Sequence, residues 1–133
     1  MINSNSARFA TAINCIDGRT QLPVINYMRT RFNVDFVDVI TEPSPAKAIA
    51  QPINAFQIFS IQQRLLFSQE KHGSQHLAVV AHHDCTANPV EKGKQIEQLR
   101  QSLVYVSLWD FKGTVVGLWV NENWEAQEML SEL

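Results

Sequence analysis

The 133 residues predict one α/β domain of three layers, residues 1–133, around a mainly parallel central sheet of about four to five strands. Short apolar runs alternate with segments of helical spacing along the chain. The clearest run, "HLAVVAH", is apolar without alternation, as in a strand covered on both faces. Turn-forming residues fall at the borders of these segments, Pro52 before a long helical stretch and Gly73 after it.

Residues 8–17, "RFATAINCID", form the first strand. "QLPVINYMRTRF" follows, with Val24, Ile25, Met28 and Phe32 at helical spacing and Pro23 in the first turn. "VDFVDVIT" carries Val34, Phe36, Val37, Val39 and Ile40 and predicts a second strand. In "EPSPAKAIAQP", Pro43, Pro45 and Pro52 break regular structure and predict a loop with room for one helical turn. The long helix after Pro52 carries Ala55, Phe56, Phe59, Leu66 and Phe67, and Gly73 stops it. "HLAVVAH" is the third strand. The next helix has Ile96, Leu99, Leu103 and Val106 at helical spacing, with Asn88 as its cap and Pro89 at its first position. "GTVVGLWVNENWEAQEML" begins as a fourth strand, turns at "NEN" and ends in a short strand or helix. Trp109, Trp119 and Trp124 are expected in core or interface packing.

Composition narrows function. A net charge of −2 and a pI near 6.0 give no electrostatic case for nucleic acid. No basic run suits a membrane surface, and no run of about 18 apolar residues suits a span. "MINSNSARFATAI" lacks the pattern of a secretory signal, so a cytoplasmic location is expected. There the two cysteines are thiols or metal ligands rather than a disulfide.

Both cysteines lie at carboxyl ends of predicted strands, where ligands of open α/β sheets bind. Cys15 closes the first strand, and "HHDC", His82 to Cys85, closes the third. Zinc favours thiolate and imidazole, so Cys15, Cys85 and His82 offer a ligand set for Zn2+, with water or a carboxylate in fourth place. His83 points away from His82 in extended chain and is expected beside the site, not in it. Asp84 is expected as a loop residue or cap, or as a partner that orients His83. Asp17 and Arg19 lie two apart: a carboxylate beside a guanidinium stays ionised and oriented. Asp17 is placed to hold a metal-activated water or to ligate the metal itself. Taken singly, each cysteine reads as a buried thiol, and the aspartate–arginine pair as a helix-capping ion pair. His72 and His76 read as surface residues.

Cys15-x-Asp17-x-Arg19 followed by His82-x-x-Cys85 resembles the site of the β-class carbonic anhydrases, and "VVGLWVNENW" resembles that family's late strand. The resemblance implies a small, divergent member. It implies Cys15, His82 and Cys85 as zinc ligands and Asp17 with Arg19 as the catalytic dyad. It implies hydration of carbon dioxide to bicarbonate, or hydrolysis of a related small linear substrate, and a homodimer or higher homo-oligomer. Gly18 suits the family's small residue before the arginine. Thr86 departs from its usual glycine after the second cysteine, only 14 residues precede Cys15 where the family carries a helical arm, and 67 residues separate Cys15 from His82 (82 − 15). Phe36, Phe56 and Tyr27 are candidates for the family's aromatic pocket. Two other functions compete: a non-catalytic zinc protein with a structural or regulatory role, and a redox or transferase protein using Cys85 with His82 or His83 as base.

Overall fold

A computed structural model describes residues 6–131. Ten elements follow in order: β1 (Phe9–Cys15), a 3-10 turn (Gly18–Thr20), α1 (Gln21–Phe32), β2 (Phe36–Glu42), α2 (Pro45–Ala50), α3 (Ala55–His72), β3 (His76–His82), α4 (Lys92–Ser107), β4 (Thr114–Val120) and β5 (Ala126–Ser131). The sheet has five strands in the order β2-β1-β3-β4-β5. The first four run parallel, and β5 returns antiparallel to β4 as a hairpin.

Successive side chains of a strand point to opposite faces, and the central strands bury both. Ala10, Ala12, Ala78, Val80, Val116 and Leu118 meet Val24, Met28 and Phe32 of α1 on one face. Ile13, Leu77, Val79 and Val115 meet α2, α3 and α4 on the other, through Ile49, Ile61, Leu65, Leu99 and Leu103. That double burial explains why "HLAVVAH" carries no alternation. Gly117 lets α4 approach β4: a Cβ there would stand 3.2 Å from Leu99 and Leu103.

Two expectations are corrected. The proline-rich segment holds the helical turn that the sequence leaves room for, but as a longer and buried helix, α2, with Pro45, Ala46, Ile49 and Ala50 inside. Pro45 sits in the first turn, where its missing N–H costs nothing. Asn88 does not cap α4: the cap position is Glu91, and Asn88 is buried, its amide donating to Gln98 Oε1 at 2.7 Å. The long helix ends as expected on left-handed Gly73 at φ 67°. Among the described residues, no helix is long and apolar enough to cross a membrane.

Candidate metal centre

β1 and β3 are hydrogen-bonded neighbours, so Cys15 and His82, their last residues, reach the same end of the sheet. Beyond His82, the His83 N–H is anchored on the Val120 carbonyl at 2.8 Å, and Asp84 takes a left-handed conformation at φ 57°. That turn carries Cys85 back toward His82. Ligand atoms of Cys15, His82 and Cys85 lie within 4.8 Å of one another. All three residues are buried, at 3%, 1% and 4% exposure.

His82 is held in one orientation. Its Nδ1–H donates to the His83 carbonyl at 2.7 Å, and Gln95 Nε2 donates to the His82 carbonyl at 3.0 Å. This leaves Nε2 with its lone pair, buried and without a hydrogen-bond partner of good geometry. A buried acceptor beside two sulfurs is costly unless filled. Two sulfurs and one such nitrogen are the donor set that suits tetrahedral zinc, so the residues present fit the ion.

Cys15 and Cys85 shift each other's acidity in opposite directions. A hydrogen bond from Cys85 pulls Cys15 down against burial, with His82 adding to the fall. The same bond, with burial and the Cys15 charge, pushes Cys85 up. Burial lowers His82, but Cys15 and the His83 carbonyl outweigh it and the net displacement is upward. A dication held between Cys15 and Cys85 would favour the thiolate form of both sulfurs.

Asp17 and Arg19 stand beside this cluster. Asp17 caps the 3-10 turn, accepting from the Arg19 N–H at 2.9 Å, from Nε at 3.1 Å and, through its other oxygen, from an η-nitrogen at 2.7 Å. The Arg19 guanidinium, with smaller help from its backbone N–H, holds the Asp17 pKa at about 2. The Asp17 carboxylate lies outside the three-ligand cluster. It lines instead a cleft of 320 Å³ with Cys15, Ile16, Cys85, Thr86 and Ala87.

The five residues singled out from the sequence are therefore brought together at one end of the sheet. His83 is exposed, and its carbonyl rather than its ring supports His82. Asp84 bonds Arg19 rather than orienting His83. Neither Phe36, Phe56 nor Tyr27 lines the cleft, and Tyr27 donates to Glu128 at 2.9 Å. His72 and His76 are half-buried rather than on the surface: His72 bonds Asp38 at 2.6 Å, and His76 stacks on Phe32. Trp119 is core and Trp124 packs against the core on the α1 face, as expected, and Trp124 also lies against Arg19, 4.3 Å from ring centre to guanidinium carbon. Sequence reasoning missed that contact and the Asn88–Gln98 bond. The φ preferences of "NENW" offered no sign of the first, since tryptophan is not a left-handed residue by habit.

Residues 5–130 match a family model described as "Putative carbonic anhydrase". The fold is similar to β-carbonic anhydrase isoform I from the protozoan Trichomonas vaginalis, with a TM-score of 0.67 and 13% identity over 100% of this chain and 89% of that one. It is also similar to the tetrameric β-carbonic anhydrases of the filamentous ascomycete Sordaria macrospora, with a TM-score of 0.54 and 12% identity over 92% and 81%. At such identities the likeness shows the β-carbonic anhydrase fold. No curated protein matches the sequence.

Proposed function

The chain belongs to this carbonic anhydrase family, and we propose that it is a zinc enzyme that hydrates carbon dioxide, or hydrolyses a similarly small linear electrophile. The observation that carries the reading is a buried Cys15–His82–Cys85 cluster of three ligands, beside a cleft walled by a carboxylate that is not among them. Structural zinc sites are closed by four protein ligands, and catalytic ones keep a place open. Zinc held there supplies a Lewis acid that activates water near neutral pH.

This chain's residues do the rest. Arg19 fixes both oxygens of Asp17, so the carboxylate is kept for the cleft and off the metal position. With a pKa of about 2, Asp17 stays ionised at neutral pH. It accepts a hydrogen bond from water and orients it, but does not store the proton. Ile16 and Ala87 give the cleft apolar wall suited to an uncharged substrate. We assign the protein to the cytoplasm and to a homodimer or larger homo-oligomer. The second assignment is supported by Ile53, Phe56 and Phe59, which stand 98%, 86% and 60% exposed around an apolar groove.

Metal analysis with stopped-flow carbon dioxide hydration tests the proposal. Purified protein is expected to carry about one zinc per chain and to hydrate carbon dioxide, and Cys85→Ser to lose both. Full zinc loading with no hydration or hydrolysis of small electrophiles would refute it and favour the non-catalytic role.

A further inference from the structure

We propose that Asp84 and Trp124 are positioning residues that hold Arg19, and through it Asp17, in register with the metal cluster; the assignment to catalysis rests on the function proposed above. An aspartate–arginine pair open to solvent is ordinarily mobile and weak, and the Arg19 side chain is 44% exposed. Yet it is held on several sides. Asp17 takes Nε and one η-nitrogen. Asp84 takes the other η-nitrogen through Oδ2 at 3.2 Å, and its carbonyl accepts at 3.2 Å. The ring of Trp124 covers the guanidinium face at 4.3 Å.

The two holders come from different turns, Asp84 after β3 and Trp124 between β4 and β5. Both are left-handed, at φ 57° and 59°. A bulky residue at positive φ is a costly outlier that persists only where its surroundings over-determine it. Here Asn121 does so: its carbonyl accepts from the Trp124 N–H at 2.9 Å, and its Oδ1 accepts from the N–H groups of Asn123 at 2.9 Å and Glu125 at 3.0 Å. Glycine or asparagine would make this turn without strain. Tryptophan instead trades backbone strain for the placement of a ring. That ring reaches beyond Arg19, lying 6.5 Å between centroids from His82 and 6.3 Å, edge-on, from His83. One side chain thus touches the dyad and borders a metal ligand.

The test uses the zinc-loaded full chain and the variants Trp124→Leu, Trp124→Phe and Asp84→Asn. Zinc content, hydration kcat and KM, and the order of the Arg19 Nε–H from ¹⁵N relaxation are measured on each. Trp124→Leu and Asp84→Asn are expected to keep their zinc, to lose Arg19 order, and to lose about tenfold in kcat at unchanged KM. Trp124→Phe, which keeps an aromatic face, is expected to recover to within about threefold of the parent. Arg19 order unchanged in both disruptive variants, or a kcat loss that follows zinc loss, overturns the assignment. Should Trp124→Leu fail to fold, Asp84→Asn at its exposed turn still decides. A parent protein with no hydration activity sinks the proposed function and not the clamp, which Arg19 order then judges alone.

Discussion

Replacing Asn88 with alanine cuts a buried bond that ties the metal-site turn to α4. Asn88 and Gln98 are 2% and 3% exposed, and 2.7 Å separates the amide nitrogen from its acceptor. The Asn88 N–H also donates to the Cys85 carbonyl at 3.0 Å, so its position bears directly on Cys85. Asn88→Ala strands Gln98 Oε1 where water cannot reach it, at a cost of about 2 kcal/mol. Gln98→Ala strands the Asn88 amide and costs a similar amount. The double variant strands neither, so its cost falls short of the sum by about 1–2 kcal/mol. A helix cap would behave differently, costing about 1 kcal/mol regardless of what stands at position 98. Urea unfolding of the metal-free variants gives the cycle without zinc's own stabilisation. Chelator competition on the same proteins is expected to show zinc held about tenfold more weakly in Asn88→Ala. Costs that add within about 0.3 kcal/mol, with zinc affinity unchanged, would refute the coupling.

Gly113 takes φ 155°, and a Cβ there would lie within 2.1 Å of the Gln75 carbonyl oxygen, so Gly113→Ala should destabilise by about 3 kcal/mol or more in thermal or urea unfolding. Gly93, in the first turn of α4 with open space where its Cβ would go, should tolerate alanine and gain up to about 1 kcal/mol. Folding lowers the Asp17 pKa from 3.8 to about 2, so the contribution of the pair is complete above about pH 4 and disappears as the pH falls toward 2. Arg19→Gln should therefore be less stable than the parent at pH 7, with the difference shrinking below pH 4 in paired urea titrations.

What was legible had a local cause. The third strand and the long helix are written in runs of apolar residues with a left-handed glycine at the boundary, and both elements stand where the pattern places them. The Cys15–His82–Cys85 cluster was legible because its residue types are scarce, with two cysteines in the chain, and because both fall at strand ends. Helix α2 was not, since six residues are too few to establish a period and three prolines argue for a break. Its helicity comes from burial of Ala46 and Ile49 against the core, a tertiary cause. Asn88 followed by proline has every local mark of a helix start, and lost to a partner ten positions away. Trp124 is the same case in reverse: nothing adjacent to it predicts its φ, which is set by Asn121 and used by Arg19.

Thr86 is where the sequence departs from the family's habit, and the backbone says what that departure does. A glycine is required where φ is positive or where another chain presses on the Cα. Thr86 is not among the left-handed residues; that conformation belongs to Asp84, two positions earlier. The threonine is exposed, and it lines both the 320 Å³ cleft beside Cys15 and a second cleft of 400 Å³ lined by His83, Lys92 and Trp119. Its substitution for glycine therefore leaves the turn that delivers Cys85 intact. What it changes is the shape and polarity of the space beside the Cys15–His82–Cys85 cluster.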